Sequence, residues 1–407
     1  MRPQSTIESF RIIPMNRRDF LSTVAAASLI SNLSFGESGK RVKQAIIVWL
    51  GGGCPTIDLW DMKPGTKEGG PFSPINTAGD FQICEHLPLL AQRGKDFSLV
   101  RSMSTREADH MRGDYYLHTG FVPNPNIVHP SIGCVVAKES SSELEIPKFF
   151  SVNSRSHDSG YLNSQYNPFL VNSDGRVDHL NREIGPGKLG MLSLLNESFI
   201  KTYRGDLPKE YNTLTQKAVA LNTSPRMKAL DISLERDTIR AAYGDTAFGK
   251  SALIARRLLQ EGVSVVEVGF NGWDLHEHTH EALLTKLPEL DRVLSTVFDD
   301  LKRSGLWENT SVVMMSEFGR TPKLNGLVGR DHWSLCWTSV VAGGGFKGGT
   351  TIGKTSKSGT SIEDRPISSE DFLCTFLKSL DIDHTVKYTS RNGRPMALAG
   401  TPILELL

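Results

Sequence analysis

The chain reads as an α/β domain organised around a mostly parallel sheet, and two observations predict this. The first is a set of short, continuous apolar runs at 45–50, 263–270, 311–315 and 338–342, each ending near glycines or polar residues. Runs of that length without alternation suit strands buried on both faces. The second is a helical stripe between the second and third runs, with Leu283, Leu287, Leu290, Val293, Leu294, Val297 and Leu301 at helical spacing. Strand, helix, strand in that order calls for parallel crossover connections.

Taken in order, the run at 45–50 ends in Gly51, Gly52 and Gly53, which predicts a first core strand followed by a tight loop. Residues 154–190 are rich in Asn, Ser, Asp, Gly and Pro, and are expected to form a loop or lid or a long ordered insertion. A helical pattern over 247–260 leads into the run at 263–270, and the longer stripe predicts a helix over 282–304. A last helix is expected over 369–380, capped by Ser369 and carrying Glu370 and Asp371 in its first turn. No internal repeat or low-complexity tract interrupts the pattern, so residues 41–407 are expected to be one domain.

Forty-six basic residues balance forty-five acidic ones, with no long basic block, which argues against a nucleic-acid partner. After residue 40 no apolar run is long enough to span a bilayer, so no transmembrane segment is expected in the mature chain. Cys54, Cys84, Cys134, Cys336 and Cys374 are odd in number, widely spaced and free of any Cys-x-x-Cys pair. That pattern points to buried free thiols, with room for one bridge after export, and away from a thiolate zinc site. At the N-terminus, Arg17 and Arg18 precede an Ala- and Ser-rich apolar stretch over 22–35. Residues 1–40 thereby resemble a twin-arginine export signal, the other reading being a basic patch before a short helix. The resemblance implies a periplasmic or secreted protein, exported already folded by the twin-arginine machinery.

Chemistry concentrates in three later segments. Asp274, His276, His278 and His280 follow the run at 263–270 within seven residues of one another, a density of hard and borderline ligands suited to a divalent metal. Asp274 and His276 lie nearest the strand end; His278 and His280 are either ligands or the start of the next helix. Glu317 directly follows the run at 311–315 and is a candidate ligand or general base. Arg320 either clamps a substrate oxyanion or forms a salt bridge that holds its loop. Asp331 and His332, beside Gly329 and Trp333, pair a further ligand with an orienting carboxylate. After the first strand, Asp58 and Asp61 are candidates for metal binding or for turn capping, and the glycines before them can bring N–H groups to an anion. Asp109, His110 and His118 form a fourth polar set after residues 99–103, His118 reading as a satisfied structural histidine. In an open α/β sheet such scattered groups converge in the crevice at the carboxyl ends of the strands.

Together, the segment Asp58-Leu-Trp-Asp61-Met-Lys63-Pro64 after the glycines, Val100-Arg-Ser-Met103, Gly272-Trp-Asp-Leu-His276, Ser316-Glu-Phe-Gly-Arg-Thr-Pro322 and Gly329-Arg-Asp-His-Trp333 resemble one exported family, catalogued as domain of unknown function 1501. The resemblance covers nearly the whole mature chain. It implies a relation to the alkaline phosphatase and sulfatase superfamily: a three-layer α/β/α sandwich with one or two divalent ions at the strand ends, zinc, manganese or calcium. By that resemblance Asp274, His276 or His278, and His332 would hold one ion, and Glu317 would stand where the superfamily has an Asp-His pair. Phe318 cannot ligate, so a second ion would need Asp58 or Asp61. Thr56 would be the candidate nucleophile and Arg320 the oxyanion partner. The function implied is a metal-dependent hydrolase of a phosphate or sulfate ester on a small molecule or polysaccharide. The altered Pro55-Thr56 pair and the incomplete second site favour the alternative, a catalytically silent binding or scaffold protein. A phosphomutase- or transferase-like enzyme is a third reading and needs a Thr or Ser activated beside the metal.

Overall fold

Nine strands form one central sheet in the computed structural model, which describes residues 43–177 and 223–407 together with Leu194, Thr202 and Leu221. The export segment containing Arg17 and Arg18, and the part of the 154–190 segment after residue 177, lie outside the described residues. In chain order the strands are β1 (Gln44–Trp49), β2 (Phe97–Ser104), β3 (Phe149–Val152), β4 (Phe169–Val171), β5 (Val265–Gly269), β6 (Thr310–Met315), β7 (Trp337–Gly343), β8 (Thr351–Ile352) and β9 (Ile367–Ser368). Their spatial order is β8-β2-β7-β6-β1-β5-β3-β4, with β9 also paired to β2.

Only β7 runs against the rest, being antiparallel to both β2 and β6. The reason lies in its connection. A parallel return needs a crossover, usually a helix, and residues 316–336 contain none, so the chain turns back beside β6. Strands β1, β5, β6 and β7 are buried along their whole length, as expected of runs without alternation.

Alternate residues of these strands feed two separate cores. Ile46, Val48, Val266, Val268, Val312 and Met314 pack in one core with α3 (Ala247–Gln260) and α4 (Thr279–Arg303). Ala45, Ile47, Trp49, Val265, Val313 and Met315 pack in the other with α1 (His110–Thr119), α2 (Ile132–Glu139) and α5 (Ser369–Ser379). The result is a three-layer α/β/α sandwich. All seven apolar residues of the α4 stripe are buried.

Two local expectations are corrected. The cap of α5 is Ser368, one residue earlier than expected: its extended backbone lets the hydroxyl accept from Asp371 N–H, while the Asp371 carboxylate accepts from Ser368 N–H. That reciprocal pair satisfies two N–H groups that a helix start otherwise leaves free. The Asn- and Ser-rich segment after residue 154 is not all loop, because Phe169–Val171 adds strand β4 in parallel to β3. All five cysteines are buried and unbridged. Among the described residues no helix is long and apolar enough to cross a membrane.

Candidate metal centre

Sheet register sets the level of the site. Trp49 at the end of β1 pairs with Gly269 at the end of β5 and with Met315 at the end of β6, so three loops leave the sheet side by side. The glycines of the first loop make their close approach possible. Gly52 has φ +117° and a Cβ there would sit 2.4 Å from Asp274 N; Gly53 has φ +83° and a Cβ would meet Phe318 at 2.9 Å. Any other residue would be strained and would push the loops apart. The Gly52 N–H does meet an anion, the protein's own Glu317, at 2.8 Å. Ser316 adds a second tie, donating to Leu50 O at 2.7 Å and accepting from Cys54 N–H at 3.1 Å.

Arg320 is fully buried at the base of this arrangement. Its Nε donates to Gly53 O at 3.0 Å, Nη1 to Arg330 O at 3.0 Å and to His276 Nε2 at 3.3 Å, and Nη2 to Gly52 O and to Asp274 Oδ1. A guanidinium has five N–H groups, and all five are used. Of the two roles the sequence left open, the loop-holding one has the geometry; no donor is left for an external oxyanion.

Above Arg320, His110 Nε2, Asp274 Oδ1 and His332 Nε2 lie within 4.8 Å of one another. The oxygen of Asp274 is 3.2 Å from His110 Nε2 and 3.4 Å from His332 Nε2. His276 flanks the group, its Nε2 3.0 Å from Asp274 Oδ1 and 3.1 Å from His332 Nε2. His332 is placed by a short antiparallel pairing in which it sits opposite Arg320. His110 begins α1 behind its cap Asp109, whose carboxylate accepts from Arg112 N–H at 3.1 Å.

Each imidazole is held through its other nitrogen. Nδ1 of His110 meets Glu317 Oε1 at 2.7 Å, Nδ1 of His276 meets Asp331 Oδ1 at 2.9 Å, and Nδ1 of His332 meets Ala108 O at 2.7 Å. A carbonyl or carboxylate there fixes the proton on Nδ1 and turns the Nε2 lone pair inward. The Nε2 of His332 then faces that of His276, which accepts from Arg320, at 3.1 Å, and the buried His110 Nε2 has no hydrogen-bond partner. Such a set is stabilised by a cation between its members. The 3.2 and 3.4 Å separations also suit one: ligand bonds of roughly 2.0–2.1 Å place tetrahedral neighbours about 3.3 Å apart. The residues present therefore fit a divalent ion.

Electrostatics agree with that fit. Burial disfavours the Asp274 carboxylate, but Arg320, His110 and His276 outweigh it and hold its pKa at about 2. Glu317, hydrogen-bonded to His110, raises the basicity of that ring against the effect of burial. Asp331 is held below the usual carboxylate range by Asn325 and then by His276.

Of the residues singled out in the sequence, Asp274, His276, Glu317, Arg320, Asp331 and His332 come together. Glu317 and Asp331 stand behind histidines, where a metal-ligating role had been open to both. His278 is elsewhere: at φ 45° it caps α4, its side chain is 63 % exposed, and its nearest charged partner is Glu281 at 3.6 Å. Asp58 is buried in an ion pair with Arg330, with bonds of 2.7 and 2.8 Å, and His280 lies 3.2 Å away. Asp61 is engaged by Lys63 at 2.9 Å and by Thr355. Thr56 is buried, its hydroxyl bonded to that of Thr338. Both aspartates and the Thr56 hydroxyl thus find their partners within the protein. His110, which the sequence placed only in a separate polar set, is the residue not foreseen as a ligand. Its signal was its position just after residues 99–103, which form β2 and end on the same side of the sheet as β1.

Residues 42–407 match the family described as Protein of unknown function (DUF1501). No curated protein matches the chain. Among solved structures it is similar to a sulfatase from Pseudoalteromonas sp., with 12% identity, 96% of this chain and 75% of that one covered, and a TM-score of 0.43. A protein in the alkaline phosphatase superfamily from Vibrio parahaemolyticus shows 12% identity over 91% of this chain and 76% of that one, with a TM-score of 0.37. A phosphonate monoester hydrolase from Silicibacter pomeroyi also shows 12% identity, over 89% and 76% of the two chains, with a TM-score of 0.37.

Proposed function

The chain belongs to the DUF1501 family, and we propose that it is an exported, metal-dependent hydrolase of a phosphate or sulfate ester. The observation that carries this reading is the convergence of three imidazole Nε2 atoms on the Asp274 carboxylate, each ring pinned through Nδ1. In this reading His110, Asp274 and His332 hold the ion. A divalent ion bound there supplies Lewis-acid polarisation of an ester oxygen. Arg320 holds Asp274 ionised and in place. His276, oriented by Asp331 and 40 % exposed, is the group at the cluster's edge that can hold or move a proton at Nε2.

The test is turnover of aryl phosphate and aryl sulfate esters by protein loaded with zinc, manganese or calcium. The expected result is metal-dependent hydrolysis that His276→Ala reduces by 10²–10⁴-fold, the usual range for a general acid or base, while metal content stays unchanged. Loss of the ion in His276→Ala would instead make His276 a ligand. Export by the twin-arginine route belongs to the same proposal and rests on Arg17 and Arg18. An Arg17→Lys, Arg18→Lys double variant should remain in the cytoplasm, and normal export of that variant would refute the route.

The second reading is a catalytically silent binding or scaffold protein that retains the site. It is favoured by two placements: the Thr56 hydroxyl is buried against Thr338, and Arg320 has no N–H left for a substrate. Metal bound without turnover of any ester in the panel would select it.

A further inference from the structure

A second group of potential ligands lies farther along the helix that carries His110. Asp114 and His118 are four residues apart on α1, hence on one face, and His157 reaches them from the segment after β3. Ligand atoms of the three lie within 4.8 Å of one another. The Asp114 carboxylate is 2.6 Å from His157 Nε2 and 3.2 Å from His118 Nδ1. Behind His118, on its other nitrogen, is Glu267 in the middle of strand β5.

Glu267 is the unusual member. It sits between Val266 and Val268 in a strand buried along its length, with no exposed surface. One carboxylate oxygen accepts from Ser154 Oγ at 2.7 Å. The other lies 3.2 Å from His118 Nε2, yet neither atom has a hydrogen-bond partner, and both residues are almost wholly buried. A buried carboxylate is costly unless paired. The ion pairs of Asp114 and Glu267 among the described residues are with histidines, none with Lys or Arg. Two carboxylates against two imidazoles are balanced either by two added protons or by one divalent cation with both rings neutral.

We propose that Asp114, His118 and His157 form a second divalent-cation site, suited to a borderline ion such as zinc or manganese, with Glu267 acting through His118. Two imidazoles and one carboxylate are the donor set such ions prefer over calcium. Here His118 would offer the ion Nδ1, which in the structure lies 2.9 Å from the Asp114 backbone carbonyl, and its proton would pass to Nε2, 3.2 Å from Glu267, so that a carboxylate backs the ring as Glu317 backs His110 in the first cluster. The Trp49 ring, 4.1 Å from that of His118, walls the buried side. Asp114 and His157 keep side-chain exposures of 29 % and 30 %, which gives an ion a way in. Binding replaces the 2.6 Å hydrogen bond between His157 Nε2 and Asp114.

The site shares no ligand with the first cluster, so the two can be tested apart. Metal-stripped full-length protein is titrated with zinc alone and with manganese alone, and bound equivalents are counted for wild type, His157→Ala, His332→Ala and the double variant. The expected counts are two, one, one and none. Glu267→Gln should weaken only the equivalent that His157→Ala removes, by tenfold to a hundredfold; a merely structural glutamate would not single out one equivalent. His157 is a partly exposed loop residue, and unchanged thermal melts would show that its variant folds. A single wild-type equivalent that survives His157→Ala overturns the proposal. A single equivalent lost in His157→Ala but kept in His332→Ala supports it and overturns the first site instead.

Discussion

Replacing His332 with alanine is expected to remove the ion from the first site, leaving stoichiometric metal in wild type and a deficit of one equivalent in the variant. His110→Ala should do the same. The two residues come from distant segments, one from the start of α1 and one from just after Arg330, and both face the Asp274 oxygen. Because three protein ligands are the minimum for such a site, losing either leaves two. Glu317→Gln should act more gently, lowering affinity by tenfold to a hundredfold, since Glu317 touches the Nδ1 of His110 and only turns that ring. Elemental analysis and competition titration check all three. An His332→Ala variant that folds and keeps its full complement of metal would sink the site as drawn.

The largest effect on stability is expected at Asp58 and Arg330, both without exposed surface. Arg330 donates to both Asp58 oxygens and to the carbonyls of Thr321, Pro322 and Glu68, so it ties the loop after β1 to the loops that carry Arg320 and His332. Arg330→Met leaves a buried carboxylate without its charge partner, which typically costs about 3–5 kcal/mol. A double variant, Asp58→Leu with Arg330→Met, should recover much of that loss, because two apolar residues carry no desolvation penalty. Urea melts of the two variants check this, and equal midpoints would refute it. The pH dependence follows from the same pair. Burial alone would raise the Asp58 pKa, but His280 and Arg330 bring it below its ordinary value. A carboxyl depressed on folding contributes stability that is complete above its unfolded pKa, near 4. That contribution is lost as pH falls through the lower folded value, while in Arg330→Met burial without the arginine favours the protonated carboxyl, so the deficit should be largest near neutral pH and narrow steadily on acidification.

The strands and helices were legible because their signal is local. Uninterrupted apolar runs, a helical stripe and the glycines after residue 50 need no knowledge of distant residues, and the sheet, both cores and α4 follow from them. The carboxylates and imidazoles after β5 and β6 were also legible, as loop residues at strand ends. What the residues could not reveal was which of several similar side chains turn inward. Asp58 and Asp61 are acidic residues after the first strand, as a metal site would require, yet Arg330 and Lys63 occupy them. His278 is two residues from His276, yet its left-handed backbone turns it to solvent.

Sequence alone thus determined the layered α/β architecture, the family and the end of the sheet at which polar groups gather, because burial and periodicity are written in neighbouring residues. Tertiary structure alone decided the membership of the site. It brought in His110, gave Glu317 and Asp331 their places behind histidines, used every donor of Arg320 and set Glu267 behind His118. Those outcomes depend on register between β1, β5 and β6, on loop crossings that only glycine permits, and on charge pairs separated by hundreds of residues. They are properties of the packed chain, since a side chain's partner is fixed by which backbone lies within a few ångströms of it.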